Sequence, residues 1–364
     1  MKTFQTDKLP GRTVHTVDGD EYLWFSGTDY LGMGHDEIFR SFLNEGFDHY
    51  GLHFGSSRNN TLRLGIYEET ETMLAKWIGS KSALLVSSGV WAGQCVMKFI
   101  DYVVFTSAAS RSIQYHYAPK VHPALWGNER KICYDPWSHW AQAVVQEISE
   151  SPKDTAHIIC TDAIGSPIVE AFDFSIFSKL PSRKNIWIVV DESHTLGVYG
   201  KSANGLYRSI AALEKLNVIM VSSLNKALGV PAGVIACNSQ TADMIRKSAW
   251  FSGASPSAPA YAYALKKLLE VNHYKAKSAY LASNIAYFAK CLKPSDLFHR
   301  VPGHPVFCSK GSALFETLLS NGIMASCFSY PSVDDAPVTR IAISTLHQKE
   351  DLDRLAEVCN QFIC

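Results

Sequence analysis

Short runs of consecutive apolar residues alternate with amphipathic stretches through the middle of the chain. Apolar runs of this length indicate strands that are buried on both faces, as in a parallel sheet covered by helices. In the stretch IYEETETMLAKWIG, Ile66, Leu74 and Ile78 share one helical face and the glutamates lie opposite. The alternation predicts an α/β fold with a mostly parallel sheet. The predicted strands are ALLVS (83–87), YVVFT (102–106), HIICT (157–161), IWIVV (186–190), NVIMVS (217–222) and GVIAC (233–237).

The two ends of the chain have different patterns. Residues 246–364 contain long helical stretches and a mixed segment, which predicts a smaller α+β domain. Residues 1–45 resemble an arm, and the Asp-Gly pair in TVHTVDGDEYLWFSG predicts the turn of a short hairpin. We therefore divide the chain into an arm at 1–45, a large domain at 46–245 and a small domain at 246–364. A chain of 364 residues is long enough for two cores.

The composition of the chain indicates which kinds of binding partner to expect. The 34 Lys and Arg residues balance the 34 Asp and Glu residues, so charge gives no reason to expect nucleic acid or an anionic membrane. The nine cysteines are scattered without metal-binding spacing, which predicts reduced thiols and no metal site. No apolar run approaches the roughly 18 residues that a membrane span requires. We expect a soluble cytoplasmic protein that acts on small molecules.

The residues that follow the predicted strands carry the candidate chemistry, because ligands bind at the carboxyl ends of parallel strands. The first strand leads into Ser88, Gly89 and Val90, where a helix begins. This segment is either a tight turn or an anion cradle, since the N–H groups at a helix start suit a phosphate. Asp162 follows the third strand, and taken alone it is best interpreted as a polar loop residue.

A carboxylate, a histidine and a lysine follow the next two strands. Asp191 and His194 come after IWIVV, and an anion such as Asp191 stabilises a protonated ring nitrogen beside it. Lys226 follows NVIMVS, and a lone lysine is normally a surface residue. Beside an anion cradle, a carboxylate and a histidine, however, it suits a Schiff base with a phosphate-bearing aldehyde that has a pyridine nitrogen. Pyridoxal 5′-phosphate is the cofactor that fits all of these parts.

Six motifs resemble, in order, those of the α-oxoamine synthases, a family of fold-type-I pyridoxal-phosphate enzymes that includes 8-amino-7-oxononanoate synthase and serine palmitoyltransferase. The resemblance implies a mostly parallel seven-stranded sheet in the large domain, a smaller α+β C-terminal domain, and a homodimer with active sites at the subunit interface. In this chain the motifs are FSGTDYLGMGHDE (25–37), HFGSSRNN (53–60), LLVSSGVWAGQ (84–94), DESHTLGVYG (191–200), SSLNKALGVPAG (222–233) and TRIAISTLH (339–347).

The resemblance also implies roles for single residues. Lys226 corresponds to the Schiff-base lysine, Asp191 to the partner of the pyridine nitrogen, and His194 to the residue that bonds the phenolic oxygen, with Ser166 nearby. The phosphate would be held by the Gly89–Val90 turn and by Ser223. The histidine that stacks on the cofactor has no clean match. An ungapped comparison places Ser110 there, whereas a small insertion brings His116 into place, and we favour His116.

Three further positions are implied to contact the substrate. Arg340 corresponds to the arginine that grips the amino-acid carboxylate, because its planar fork matches two oxygens. Ser332 stands where the synthases have a threonine near the substrate. Thr28 takes the place of an asparagine that helps to bind substrate, and Leu62 replaces a glycine.

The resulting prediction is a PLP-dependent transferase of the acyltransferase type, similar to 8-amino-7-oxononanoate synthase. It would condense a small amino acid with an acyl thioester, either acyl-CoA or an acyl-carrier thioester, and release carbon dioxide to give an aminoketone. Lys226 would remove the α-proton of the amino acid. Since Thr28 and Leu62 depart from the family, an aminotransferase or lyase that uses no thioester is the first alternative. A non-catalytic protein that has kept the fold is the second.

Overall fold

The computed structural model describes residues 3–108, 110–127, 130, 133–183, 185–330 and 334–363. The helices in these ranges are α1 (Glu37–Tyr50), α2 (Gly65–Ile78), α3 (Gly89–Met97), α4 (Ile100–Ser107), α5 (Trp137–Glu150), α6 (Tyr207–Ala211), α7 (Ser239–Lys247), α8 (Ala249–Ser252), α9 (Pro259–Glu270), α10 (His273–Cys291), α11 (Ala313–Ser320) and α12 (Lys349–Ile363). The strands are β1 (Thr13–His15), β2 (Glu21–Phe25), β3 (Ser82–Val86), β4 (Ser112–Tyr117), β5 (Thr155–Asp162), β6 (Ile186–Asp191), β7 (Asn217–Ser223), β8 (Gly233–Cys237), β9 (His299–Arg300), β10 (Val306–Lys310), β11 (Ile323–Phe328) and β12 (Val338–Ala342).

The larger sheet has the order β3-β8-β7-β6-β5-β4. Strands β4 to β7 run parallel, and β8 is antiparallel to both of its neighbours. All six residues of β6 are buried, as expected for a central strand that is covered on both faces. The α/β class and the mostly parallel sheet are therefore confirmed. Within the described residues the sheet has six strands and not the expected seven.

One predicted strand of this sheet is wrong. Residues 102–106 belong to helix α4, and the strand at the sheet edge is β4, which begins at Ser112. In α4 the buried side chains are Ile100, Val103 and Val104, which is helical spacing, while Tyr102 is exposed. A short apolar run does not distinguish a strand from a buried helix. Strand β4 was not predicted because the predicted strands of this sheet are continuous apolar runs, whereas its sequence SIQYHY alternates polar and apolar residues.

The smaller sheet has the order β1-β2-β11-β12-β10-β9. The predicted N-terminal hairpin is confirmed, since β1 and β2 pair antiparallel with Thr13 opposite Leu23. Strand β2 then pairs parallel with β11, so the arm shares a sheet with the C-terminal strands. The exact boundaries at 45 and 245 remain predictions.

The helices predicted for the large domain and for the small domain are both present. The stretch that begins at Ile66 forms α2, which buries Ile66, Leu74 and Ile78. The long C-terminal patterns form α9, α10 and α12. Within the described ranges, no helix has the length and apolar character needed to cross a membrane.

Candidate active site

The carboxyl ends of three neighbouring parallel strands meet at one edge of the larger sheet. Asp162 ends β5, Asp191 ends β6 directly beside it in register, and Ser223 ends β7. An open cleft of about 280 Å³ and a narrower recess meet at this edge. The two cavities share His122, Asp191, Ser193 and Lys226, so they form one continuous site.

The N-terminus of α3 forms one wall of the cleft. Gly89 begins this helix, and Ser88 Oγ caps it by accepting the N–H of Trp91 at 3.1 Å. A Cβ atom added at Gly89 would lie 2.6 Å from Ser223 Cα, closer than such atoms approach. Glycine therefore lets the helix start pack directly on the end of β7. The N–H groups of a first helical turn have no partner within the helix, and this makes the wall an anion cradle.

Lys226 extends into the site from the turn that follows β7. Its Nζ lies 2.9 Å from His194 Nε2, and His194 Nδ1 lies 3.0 Å from the Tyr30 hydroxyl. Burial and the positive charge of Arg340 lower the pKa of Lys226, while Asp191 opposes this change. Burial and the nearby Lys226 charge lower the pKa of His194 well below its usual value. The neutral form of His194 is therefore favoured, and Lys226 loses its proton more readily than an exposed lysine does.

The two aspartates have different surroundings. Asp191 is 6% exposed, and its Oδ1 accepts the N–H of Ser193 at 2.8 Å. The Ser193 hydroxyl in turn accepts the N–H of Ser223 at 2.8 Å, which ties the ends of β6 and β7 together. Burial and the Asp191 charge raise the pKa of Asp162 well above its usual value. Asp162 therefore retains a proton more readily than an exposed carboxyl group does.

His122 lies at this site, whereas His116, the residue favoured as the stacking histidine, does not. His122 lines both cavities, and its Nδ1 lies 3.9 Å from Asp191 Oδ2. Its backbone N–H donates to Asp162 Oδ2 at 3.1 Å, which anchors the loop after β4. His116 instead faces α5 and bonds His157, with 3.0 Å between Nε2 and Nδ1. His116 lines neither cavity, and neither does the alternative, Ser110.

The choice of His116 follows from the wrongly predicted strand. Because 102–106 was interpreted as the strand, the search for a histidine started too early in the chain. His116 lies inside β4, whereas His122 comes five residues after that strand ends at Tyr117. The rule that ligands bind beyond strand ends would have selected His122 if β4 had been recognised.

The remaining cofactor candidates lie at the predicted edge. Ser166 lines the recess, and Gly89, Val90 and Ser223 line the cleft. Val90 is 56% exposed at the rim.

The three residues predicted to contact the substrate differ in where they lie relative to the site. Arg340 donates from Nη2 to the Tyr30 hydroxyl at 2.9 Å, which links it to His194. Its Nε is buried without a hydrogen-bond partner in the described ranges. Thr28 is half-buried and lines neither cavity. Ser332 lies outside the described residues.

Two tyrosines were missed by the sequence analysis. Tyr30 connects Arg340 to His194 and lies inside the quoted motif FSGTDYLGMGHDE, although no role was given to it. Tyr330 lines the recess, and its buried hydroxyl has no hydrogen-bond partner among the described residues. Burial and the nearby aspartates raise its pKa to about 12. The positions of both tyrosines in the site depend on tertiary packing, and no spacing in the sequence predicts them.

Comparison with known proteins agrees with this geometry. The sequence profile of the aminotransferase class I and II family matches residues 20–358. The chain belongs to the aminotransferase class I and II family. That family depends on pyridoxal phosphate, so the cofactor and the transferase class expected from the sequence are confirmed.

Relatives within this family cover nearly the whole chain. A putative 8-amino-7-oxononanoate synthase from Rippkaea orientalis is 26% identical over 98% of this chain and 93% of its own length. An 8-amino-7-oxononanoate synthase from Thermosipho melanesiensis is 25% identical over 93% of this chain and 87% of its own. The resemblance to α-oxoamine synthases is thereby confirmed.

Solved structures share the fold. Serine palmitoyltransferase from Sphingomonas wittichii superposes with a TM-score of 0.81 at 15% identity, covering 99% of this chain and 91% of that one. An 8-amino-7-oxononanoate synthase from Francisella tularensis superposes with a TM-score of 0.66 at 19% identity, covering 94% and 98%. At these identities the structural similarity establishes the fold.

The residues present fit the cofactor of the aminotransferase class I and II family. Gly89 lets the start of α3 pack on the end of β7, and this helix start faces the cleft that contains Lys226 and Asp191. The cleft thus offers an anion site, an amine with a lowered pKa and a buried acid to one ligand.

Proposed function

We propose that this chain is an acyltransferase of the 8-amino-7-oxononanoate synthase type. It would join a small amino acid to the acyl group of an acyl thioester, with loss of carbon dioxide. The observation that carries the proposal is that Lys226, Asp191 and the Gly89 cradle line one cleft in a chain whose full-length relatives are named as such synthases. The acyl donor would be acyl-CoA or an acyl-carrier thioester.

The site would hold pyridoxal phosphate through five groups of this chain. The first turn of α3, with Gly89 and Val90, and the Ser223 hydroxyl would bind the phosphate. Asp191 would face the pyridine nitrogen, and His122 would lie over the ring in place of His116. His194 would bond the phenolic oxygen, with Ser166 nearby. When bound, the cofactor withdraws electrons from the α-carbon of an attached amino acid.

Arg340 would bind the amino-acid substrate, and Lys226 would deprotonate it. Arg340 still has its buried Nε available, so a substrate carboxylate can satisfy this donor. Lys226 would take the proton from the α-carbon, because burial and Arg340 lower its pKa and favour the neutral amine. Thr28 and Ser332 remain proposed substrate contacts by resemblance alone.

We further propose a homodimer in the cytoplasm. Val90 at the rim of the cleft is 56% exposed, and Tyr102 and Phe105 on the neighbouring α4 are 57% and 51% exposed. A second copy of the chain that covers this surface would enclose the cleft. The eight cysteines within the described ranges are all free thiols, which agrees with a reducing compartment.

The release of coenzyme A tests the reaction. Purified protein with pyridoxal phosphate is mixed with each of a set of small amino acids and acyl-CoA thioesters, and free thiol is followed by a colour reagent. We expect release that depends on both substrates, with one carbon dioxide per thiol. The variant Lys226→Ala should lose this activity, whereas Lys247→Ala, at an exposed position on α7, should retain it.

An amino-group transfer to a keto acid without any thiol release would contradict the proposal. That outcome would establish the aminotransferase alternative, since both reactions use the same cofactor and lysine. Equal turnover by Lys226→Ala and the unmodified chain would remove Lys226 from the mechanism altogether.

A further inference from the structure

Three consecutive hydrogen bonds connect Arg340 to Lys226. Arg340 Nη2 lies 2.9 Å from the Tyr30 hydroxyl oxygen, this oxygen lies 3.0 Å from His194 Nδ1, and His194 Nε2 lies 2.9 Å from Lys226 Nζ. Tyr30 is 1% exposed, so water cannot readily substitute for a missing partner. The direction of each bond can therefore be worked out by accounting for protons.

The guanidinium group of Arg340 fixes the first bond, because it donates hydrogen bonds and never accepts them. Tyr30 oxygen must accept from Arg340, and the phenol then has one proton left to donate. Among the described residues, the only other hydrogen-bond partner of this oxygen is His194 Nδ1. Tyr30 therefore donates to His194, and Nδ1 of His194 is an acceptor.

The remaining protons follow from this step. A neutral imidazole that accepts at Nδ1 carries its proton on Nε2. That N–H points at Lys226 Nζ, so the amine must accept it through its lone pair and must be uncharged. The reversed direction would have Lys226 donate to His194 and His194 donate to Tyr30. It would leave the buried phenol proton without an acceptor in the described ranges, which is strongly disfavoured.

We propose that Tyr30 is a positioning residue that fixes the Nε2–H tautomer of His194. His194 then presents its one N–H donor to the free amine of Lys226 in the absence of cofactor, and to an oxygen of the cofactor when that is bound. Lys226 is held as the neutral amine, the form that can attack an aldehyde carbon. His304 contacts the backbone of the same residue, since its Nε2 lies 3.3 Å from the His194 carbonyl oxygen.

Other charged groups also face these side chains. Lys226 is approached by Asp191, Asp162 and Arg340, and His194 by Lys226, Arg340, His304 and His122. Their charges are unchanged when only the Tyr30 oxygen is removed. The variant Tyr30→Phe therefore removes only the two hydrogen bonds of this oxygen, one to His194 and one to Arg340. The inference concerns the lysine used in the proposed function, but it is tested on the full chain freed of cofactor, so the two can fail separately.

The tautomer is measured directly by nitrogen-15 NMR of histidine-labelled protein freed of cofactor. The His194 signals are assigned by their loss in His194→Gln. We expect a protonated Nε2 and an unprotonated Nδ1 in the unmodified chain, and a mixture of tautomers in Tyr30→Phe. The control Tyr67→Phe removes another buried phenol, which donates to the Ser257 carbonyl at 2.7 Å, and should leave His194 unchanged. A protonated Nδ1 in the unmodified chain, or an unchanged tautomer in Tyr30→Phe, would overturn the proposal.

The charge of Lys226 provides a second readout. The pH dependence of its acetylation by acetic anhydride is followed by peptide mass, again without cofactor. In Tyr30→Phe, His194 Nε2 becomes free to accept from an ammonium group, so the apparent pKa of Lys226 should rise by about one unit, the effect of one ordinary hydrogen bond. An equal shift in Tyr67→Phe, or no shift in Tyr30→Phe, would contradict the role of Tyr30.

Discussion

The charge of Lys226 is set by the groups around its amine. Burial and Arg340 lower its pKa, Asp191 opposes them, and the His194 ring lies at 2.9 Å. An exposed lysine is almost entirely protonated at neutral pH, whereas this one has a larger neutral fraction. The residue therefore suits covalent attachment of an aldehyde, and the same environment suits a base.

At the same scale, the choice between two histidines can be tested by cofactor affinity. In His122→Ala the aromatic face over the cofactor ring would be lost, and such contacts contribute about 0.5–1.5 kcal/mol. We expect the dissociation constant for pyridoxal phosphate to rise by about two- to thirteenfold, as measured by absorbance titration.

The matched variant His116→Ala should behave in the opposite way. It removes the partner of the buried His157, so the melting temperature should fall while the cofactor affinity stays unchanged well below that temperature. If His116→Ala weakened the cofactor and His122→Ala did not, the assignment of His122 would be wrong.

At the scale of elements, the packing of α3 on β7 positions the phosphate cradle. In Gly89→Ala the new methyl group would lie 2.6 Å from Ser223 Cα, and backbone cannot move away as a flexible side chain can. We expect the free energy of unfolding to fall by about 1–3 kcal/mol and the cofactor affinity to fall at least tenfold. Chemical denaturation and absorbance titration measure the two effects.

Gly55→Ala provides the control for this change. A Cβ at Gly55 would be 3.8 Å from its nearest neighbour, so both properties should stay as they are. Unaltered cofactor affinity in Gly89→Ala would show that the helix start does not hold the phosphate.

The elements also show where prediction from sequence succeeds. Strands β5, β6 and β7 were recognisable because central strands are apolar throughout, and the chemistry at their ends followed from the topology. The edge strand β4 alternates polar and apolar residues, and α4 mimics a strand over five residues. The choice of His116 is a direct consequence, since its position was judged relative to the wrong element.

At the scale of the whole molecule, buried neutral histidines make stability depend on pH. Burial lowers the pKa values of His116 and His157 from 6.5 to about 4. Between these pH values the two histidines are protonated in the unfolded chain but neutral in the folded chain. The free energy of unfolding therefore falls as the pH decreases from about 6.5 to about 4. Each histidine contributes up to about 1.4 kcal/mol per pH unit.

Urea denaturation at several pH values in this range measures the slope. His157→Asn should flatten the dependence, whereas His139→Asn, at an exposed position on α5, should leave the slope unchanged. An equally steep slope in His157→Asn would show that the buried pair does not set the acid stability.

Long-range pairing limits prediction at this scale. The N-terminal hairpin was recognisable from its Asp-Gly turn, because hairpin contacts are local. Its pairing with β11, about 300 residues later, leaves no signal in a single sequence. The link from Tyr30 to Arg340 and His194 is of the same kind, which explains why an identified motif contained an unassigned site residue.

The most direct test of the account is the covalent attachment of pyridoxal phosphate to Lys226. The protein is incubated with the cofactor, its visible spectrum is recorded, and borohydride reduction is followed by peptide mass mapping. We predict a visible absorption band and a reduced pyridoxyl group on the peptide that contains Lys226, both absent from Lys226→Ala. A protein that shows no band and no modified Lys226, or that carries the group only on exposed lysines such as Lys247, would contradict the account.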